Sequence, residues 1–166
     1  MSMPEVGDRA PAVALPDEYG AIHRLSDQAG RWTLVYFYPE DDTSGCTIEA
    51  CQFRDLHTTI RDEGADVWGI SPDGADSHHR FIQKFELPFT LLSDEDHAGA
   101  TAYGAWTLRK NYGREYMGVQ RSSFLVDPDG KVAFAWPRVK ADGHPADVLA
   151  KLVAAKAERA ARSPQG

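Results

Sequence analysis

The chain has 166 residues, of which 42% are hydrophobic and 26% charged, and its formal net charge is -7. This length suits one core, so we expect a single domain over residues 1–166, with 162–166 as a frayed tail. The acidic charge, with no Lys/Arg-rich patch, argues against nucleic acid as a partner. No apolar run approaches the ~18 residues of a membrane span, and the start has no signal-peptide pattern. We therefore expect a cytoplasmic protein without a membrane association.

The predicted elements alternate between strands and helices along most of the chain. Residues 32–38 form a nearly continuous apolar run, which is typical of a central strand buried on both faces. Thr43 or Ser44 can cap the helix that follows, on which Phe53 and Ile60 share one face. In chain order, we predict a strand at 32–38, a helix from 45 or 46 to about 61, a strand at 65–70, a helix at 76–85, a strand at 89–92, a short helix near 95–103, strands at 122–126 and 132–136, and a final helix with the apolar stripe Val148, Leu149, Leu152 and Val153.

The remaining segments complete the predicted architecture. Asp127-Pro-Asp-Gly130 predicts a hairpin turn rather than a calcium loop. Residues 104–119 look irregular, and the first thirty residues are expected to add edge strands. Parallel βαβ units followed by an antiparallel hairpin predict an α/β fold, with a central mixed β-sheet and helices on both faces.

The only two cysteines are Cys46 and Cys51. If both lie in one helix, their Cα atoms are roughly 8.6 Å apart, from the rise and turn per residue. A disulfide needs about 4.4–6.8 Å between Cα atoms. The pair can therefore bond only if the first helical turn unwinds, which favours a cycling pair over a structural disulfide.

Several other interpretations of these residues stay open on spacing alone. Free cysteines are among the most buried residues, so two structural core residues are an equal alternative. A metal site is the weaker interpretation, because zinc usually takes four ligands in closer patterns and the histidines are scattered. The acidic run 40–42 is interpreted as a solvated loop rather than a cation site.

A nucleophilic cysteine must be a thiolate. Cys46 in the first helical turn would face free backbone N–H groups and the positive end of the helix dipole, which favour that form. The Thr43 hydroxyl, one turn earlier, could hydrogen-bond both the sulfur and an incoming oxygen. The acidic run 40–42 opposes a thiolate, so a cation from elsewhere is needed. Arg121, which opens a predicted strand, is the best candidate.

Two stretches of the chain resemble the peroxiredoxins, specifically the Q-type, or bacterioferritin-comigratory, subgroup. They are Tyr36-Phe-Tyr-Pro39-x-Asp-Asp-Thr43-x-Gly-Cys46-Thr-x-Glu49-Ala-Cys51 and Arg121-Ser-x-Phe124-Leu-Val-Asp-x-Asp-Gly130. The resemblance implies a thioredoxin-like fold with an N-terminal strand extension. It also implies reduction of hydrogen peroxide and organic hydroperoxides without a metal or an organic cofactor.

The same resemblance assigns roles to six residues. Cys46 would be the peroxidatic cysteine, and Cys51 would resolve its sulfenic acid through an intrachain disulfide. The other four would be Pro39 shielding the thiolate, Thr43 binding the peroxide oxygens, Arg121 holding the thiolate and polarising the substrate, and Glu49 orienting the arginine. The implied reductant is thioredoxin or a similar dithiol, and the implied state is a monomer. Glu40 departs from the subgroup, where lysine is common.

Two rival functions remain at this point. A thiol–disulfide oxidoreductase on the same fold would normally use Cys-x-x-Cys, in which both sulfurs meet without unwinding. A non-enzymatic binding or chaperone-like domain would carry the two cysteines as structural residues.

Overall fold

The fold is described here from a computed structural model, which covers residues 2–162. Its strands are β1 (Ala14–Pro16), β2 (Ile22–Arg24), β3 (Trp32–Phe37), β4 (Ala65–Ser71), β5 (Thr90–Ser93), β6 (Trp106–Asn111), β7 (Arg114–Val119), β8 (Ser122–Val126) and β9 (Val132–Trp136). Its helices are α1 (Ser44–Asp62), α2 (Ala75–Phe85), α3 (Ala98–Ala102) and α4 (His144–Arg162), with a short 3₁₀ helix at Leu25–Gln28.

Five strands form the central sheet, in the order β5-β4-β3-β8-β9. Strands β3, β4 and β5 run parallel, β8 pairs antiparallel with β3, and β9 pairs antiparallel with β8. This is the mixed sheet that the sequence predicts, and the Asp127–Gly130 segment forms the predicted turn between β8 and β9.

Alternate residues of β3 pack on opposite faces of the sheet, which gives the protein two apolar layers. Leu34 and Tyr36 face a cluster that includes Phe53 of α1, Phe81 of α2 and Val148 of α4. On the other face, Val35, Phe37 and Trp68 contact α3 and the N-terminal segment, through Ala100, Val13 and Leu25. A strand buried on both faces is apolar at nearly every position, which explains the nearly continuous run in β3, where Thr33 is the buried polar exception.

The register of the sheet brings distant segments of the chain together. Phe37, the last residue of β3, pairs with Ser122, the first residue of β8. Because the two strands are antiparallel, Arg121 lies beside the carboxyl end of β3, where the loop to α1 begins. The sheet therefore places Arg121 next to the N-terminus of α1.

One predicted irregular segment is in fact a hairpin. Residues 106–119 form β6 and β7, joined by Tyr112 and Gly113, both with positive φ angles (50° and 77°). Two positive φ values are characteristic of the tight turns that join two strands. Most side chains of this hairpin are exposed, so its sequence lacks the apolar alternation that marks a half-buried strand.

The N-terminal strands were expected to extend the sheet, and this expectation is wrong. Strands β1 and β2 hydrogen-bond to each other in a separate two-stranded sheet. The Asp17 carboxylate accepts hydrogen bonds from the backbone N–H groups of Tyr19 and Ala21. These bonds close a tight local turn, which favours pairing between neighbours in the chain.

The helix boundaries differ from the predictions by a few residues. Helix α3 is shorter than expected because His97 adopts a left-handed conformation (φ 63°) and Asp94 accepts the N–H groups of Gly99 and Ala100. On α4, Val148 and Leu152 are buried as predicted, but Val153 is largely exposed. Helix α4 includes Arg162, so that residue is not part of a frayed tail, and positions 163–166 lie outside the described residues.

Candidate active site

Cys46 lies in the first turn of α1 and is 1% exposed. Thr43 occupies the N-cap position, and the first helical hydrogen bond runs from Thr47 N to Thr43 O at 2.8 Å. The N–H groups of the three residues between them therefore precede the helical hydrogen-bond pattern. These groups and the helix dipole place positive potential around the Cys46 sulfur.

Arg121 connects the cysteine to a buried carboxylate. Its Nη2 atom lies 3.2 Å from Cys46 Sγ, and its Nη1 atom donates to Glu49 Oε1 at 2.6 Å. The guanidinium side chain is 16% exposed and that of Glu49 is fully buried. Burial disfavours the charged guanidinium, but the charges of Glu49 and Cys46 outweigh it and raise the pKa of Arg121. The site therefore holds a permanent cation against the sulfur.

Gly45 allows this close approach. A Cβ atom at that position would lie 3.1 Å from Arg121 Nη2. This is tighter than ordinary van der Waals contact, so any side chain at position 45 would push the guanidinium. The glycine before the cysteine thus leaves room for the arginine above the helix start.

Glu49 has an unusual environment for a carboxyl group. Among residues 2–162, its Oε2 atom has no hydrogen-bond partner. Burial raises the pKa of Glu49 to about 7, and the opposing pull of Arg121 does not cancel that effect. The carboxyl group thus has a raised pKa, while its Oε1 atom accepts a hydrogen bond from Arg121.

We predict that the stability of the protein depends on pH through Glu49. Replacing Glu49 with glutamine should remove this dependence. Because the folded pKa of about 7 exceeds the ordinary value of 4.5, the folded state keeps a proton that the unfolded chain releases. The stabilisation is fully present below pH 4.5 and is lost as pH rises through 7. Between pH 4.5 and pH 8, the free energy of unfolding measured in urea should fall by about 3 kcal/mol more in wild type than in Glu49→Gln.

The control for this prediction is Glu63→Gln. Glu63 pairs with Lys156 at 2.8 Å, and both side chains are about one-third exposed. This variant should keep the wild-type dependence of unfolding free energy on pH. An equal slope in wild type and Glu49→Gln would show that Glu49 is ionised throughout the range.

The structure places the other predicted site residues around the same helix start. Thr43 precedes α1, and its hydroxyl donates to the Glu40 carbonyl oxygen at 3.0 Å. Thr43 occupies the N-cap position of α1, but its side chain forms no capping hydrogen bond to the backbone of the helix. Pro39 is exposed in the loop between β3 and α1.

Cys51 lies on the same helix as Cys46, one and a half turns further along. It is half-buried, and both cysteines are free thiols. Helix α1 is continuous from Ser44 to Asp62, so the two Cα atoms are held roughly 8.6 Å apart by helical geometry. In this conformation the sulfurs are kept from bonding.

The solvated-loop interpretation of the acidic run is wrong for its middle residue. The side chain of Asp41 is 3% exposed and contacts the fully buried His78. Asp41, Asp73 and His78 bring their ligand atoms within 4.8 Å of one another, which is the one grouping of described residues that could hold a metal ion. Hydrogen bonds within the protein already occupy these atoms. The sequence does not predict the burial of Asp41, because an acidic run next to a turn is usually exposed to solvent.

These features define a class of protein. A free cysteine at a helix start, contacted by a half-buried arginine on a mixed α/β sheet, is the arrangement of a thiol-based peroxidase. No helix described between residues 2 and 162 has the length and apolar character needed to span a membrane.

Comparison with known proteins gives the family. The sequence matches the AhpC/TSA family over residues 6–135. It is 44% identical to Peroxiredoxin Bcp of Bacillus subtilis over 148 residues, which are 89% of this chain and 94% of that protein. The fold is similar to a structure of Xanthomonas campestris Peroxiredoxin Q, with TM-score 0.83, 37% identity, and coverage of 91% of this chain and 96% of that chain.

A further structure, of the Xanthomonas campestris bacterioferritin comigratory protein, was described for its alkyl peroxide reduction activity. It is similar at TM-score 0.83 and 36% identity, covering 91% of this chain and 96% of that chain. The chain therefore belongs to the AhpC/TSA family, as a peroxiredoxin of the Bcp or Q type. It is a thiol peroxidase that acts on hydroperoxides.

Proposed function

We propose that the protein reduces hydrogen peroxide and organic hydroperoxides through an intrachain cycle in which Cys46 is the peroxidatic cysteine and Cys51 the resolving one. The observation that carries this assignment is the fork of Arg121, which contacts Cys46 Sγ at 3.2 Å and Glu49 at 2.6 Å. Arg54 interacts with Cys51 through charge alone, and no side-chain hydrogen bond to the Cys51 sulfur is formed among the described residues, which supports the division of roles.

The first step is attack of the Cys46 thiolate on one peroxide oxygen. The S–O bond forms as the O–O bond breaks, and the leaving alkoxide or hydroxide takes up a proton to give an alcohol or water. Negative charge moves from the sulfur to the leaving oxygen. Arg121 and the N–H groups of the first α1 turn can stabilise that charge without rearranging. Thr43 is the candidate for binding the peroxide, and Pro39 for shielding the thiolate.

The second step resolves the sulfenic acid on Cys46. The Cys51 thiolate attacks the Cys46 sulfur, so that the S–S bond forms, the S–O bond breaks, and the leaving hydroxide takes up a proton from solvent to give water. This requires the start of α1 to unwind, since the helix holds the Cα atoms roughly 8.6 Å apart against the about 4.4–6.8 Å of a disulfide. A thioredoxin-type dithiol then reduces the disulfide by exchange.

The alkyl peroxide activity described for the Xanthomonas campestris relative supports organic hydroperoxides as substrates. Because both cysteines belong to one chain, the cycle needs no second subunit, and we propose a monomer that works in the cytoplasm. A coupled assay with thioredoxin, thioredoxin reductase and NADPH tests the proposal. NADPH oxidation should depend on both the protein and the hydroperoxide, and its absence with either substrate would contradict the proposed function.

Replacing Cys51 with serine should stop the cycle after one turn. The Cys51→Ser variant keeps Cys46 and Arg121, so it should consume one equivalent of peroxide per chain at a near wild-type rate. It should then fail to turn over with thioredoxin, because its sulfenic acid has no intrachain partner. Peroxide consumption by a colorimetric assay and the coupled NADPH assay measure the two parts. Full cycling would assign resolution to another thiol, from a second chain or a small molecule.

A further inference from the structure

Asp41 is the most completely hydrogen-bonded side chain in the loop that leads to the peroxidatic cysteine. Its Oδ1 atom accepts from the Tyr38 hydroxyl at 2.6 Å. Its Oδ2 atom accepts from the Ser77 hydroxyl at 2.8 Å and lies 2.7 Å from His78 Nδ1. The exposed fractions of the Asp41 and His78 side chains are 3% and 0%. An acidic group with so little solvent needs these donors to remain in the core.

The partners of His78 determine its protonation state. Its Nε2 atom lies 3.0 Å from the Leu92 carbonyl oxygen, which can only accept, so Nε2 carries a hydrogen. Asp41, which already accepts two hydroxyl donors, is best satisfied as a carboxylate, so Nδ1 carries the second hydrogen. Burial opposes an imidazolium, but the bond and charge of Asp41 outweigh it and raise the pKa of His78. The contact is a buried ion pair.

The ion pair and the backbone of Asp41 together link the loop to three other segments. His78 belongs to α2, and its Leu92 partner belongs to β5. The backbone N–H of Asp41 donates to Asp73 Oδ2 at 2.7 Å, in the connection between β4 and α2. Both the main chain and the side chain of Asp41 are therefore held by the body of the protein.

Outside Asp41, the loop is tied to α2 by an exposed ion pair between Asp42 Oδ2 and Lys84 Nζ at 2.8 Å. An ion pair that exposed to solvent contributes little to holding the loop. Pro39 and Glu40 are exposed, and Asp42 is exposed with a left-handed φ of 58°. Thr43 follows Asp41 by two residues, and helix α1 starts directly after Thr43. The position of Asp41 thus sets where the chain enters the helix that carries Cys46.

We propose that Asp41 and His78 are positioning residues for the peroxide reaction, which hold loop 39–43, and with it Thr43 and the first turn of α1, in the geometry in which Cys46 reacts. The proposal rests on the proposed function of Cys46. The ion pair acts on the folded form of the loop, whereas disulfide formation takes place after the helix start has opened. Breaking the pair should therefore slow the first step selectively.

The test measures the two steps separately by stopped-flow tryptophan fluorescence with hydrogen peroxide. Asp41→Asn and His78→Leu should lower the rate constant of Cys46 oxidation by about tenfold or more, as a displaced reacting geometry does. The rate constant of the following disulfide formation should be unchanged or higher. His78→Asn keeps a donor for Asp41 but not for Leu92, and it should restore most of the first rate constant.

Two further variants serve as controls for a general loss of stability. Ser77→Ala removes one of three donors to Asp41, so it should fold and slow oxidation by about threefold, as loss of one hydrogen bond does. Asp66→Asn breaks a partly buried ion pair with Arg31 at 2.7 Å, away from the loop, and should leave both rate constants unchanged.

Equal slowing of both steps in the Asp41 and His78 variants, or no slowing of either, would overturn the proposal. So would His78→Asn behaving like His78→Leu. A wild-type protein that does not react with peroxide would instead overturn the proposed function, and this proposal with it. The two failures are distinguished by the wild-type trace in the same experiment.

Discussion

Replacing Cys46 with serine is expected to abolish peroxide turnover. A serine hydroxyl is not ionised at neutral pH, and Arg121 and the helix start then have no thiolate to hold. The Cys46→Ser variant should give no NADPH oxidation above the protein-free rate in the coupled assay, with either hydrogen peroxide or an organic hydroperoxide. Because Cys46 is a small buried residue, the substitution is nearly isosteric, and far-UV circular dichroism should match wild type.

The matched control is Cys51→Ser, which removes the same atom five residues away on the same helix. It should still react once with peroxide, whereas Cys46→Ser should not react at all. Peroxide consumption by Cys46→Ser at the wild-type rate would move the nucleophile to Cys51 and contradict the assignment.

Replacing Arg121 with alanine is expected to slow the chemical step by about 10²-fold, the usual effect of losing one preorganised donor at a developing charge. The guanidinium contacts the Cys46 sulfur and is the cation that the site holds against it. The second-order rate constant for peroxide, measured by stopped-flow fluorescence, tests this. An unchanged rate constant would place charge stabilisation elsewhere, in the helix N–H groups alone.

In this variant, a loss of folding stability has to be distinguished from a loss of reaction rate. Arg121→Ala leaves the buried Glu49 carboxyl group without its hydrogen-bond partner, and a buried polar group without a partner is destabilising. The double variant with Glu49→Met replaces that carboxyl group by an apolar side chain, so it should recover stability but not the rate constant. Arg121→Lys should lie between wild type and Arg121→Ala, because lysine keeps the charge but cannot bridge Cys46 and Glu49. Arg159→Ala, which breaks a surface pair with Asp129 at 2.8 Å, is the neutral control.

The sequence predicts the features of the fold that depend on periodic burial. The nearly continuous apolar run of β3 and the Phe53–Ile60 spacing of α1 both predict their elements, because a central strand and a packed helix leave few choices of side chain. The exposed hairpin of β6 and β7 gives no such pattern, and its Tyr112 has a positive φ angle that a tyrosine rarely adopts. The sequence pattern therefore does not predict the turn between β6 and β7.

The candidate site divides in the same way. The contact between Cys46 and Arg121 follows from the sequence, because a helix start and a cation both favour a thiolate. The catalytic roles of Cys46, Thr43 and Arg121 stay predictions. The burial of Asp41 does not follow from the sequence, since an aspartate in the run 40–42 is usually solvated. Its partner His78 is 37 residues away in the sequence, and only the packing of α2 against the loop brings the two together. The single-domain prediction for residues 1–166 stays a prediction.

The two steps of the proposed cycle make opposite demands on α1. Reaction with peroxide needs the helix start folded, so that Arg121 and the free N–H groups surround the sulfur. Disulfide formation needs the same turn unwound. The buried carboxyl of Glu49 and the Asp41–His78 pair both act on the folded form, so changes at either should alter how readily the helix opens.

The most direct test is to treat the reduced protein with one equivalent of hydrogen peroxide, alkylate it, and record an intact mass with peptide mapping. In the proposed cycle, the product is a chain that is lighter by two hydrogens, carries no alkyl group, and contains Cys46 linked to Cys51. Because helical geometry forbids that bond, its formation would also demonstrate that the start of α1 opens. Two thiols that remain alkylated would contradict the peroxidatic cycle, and a sulfenic acid on Cys46 without the bond would exclude Cys51 as its resolving partner.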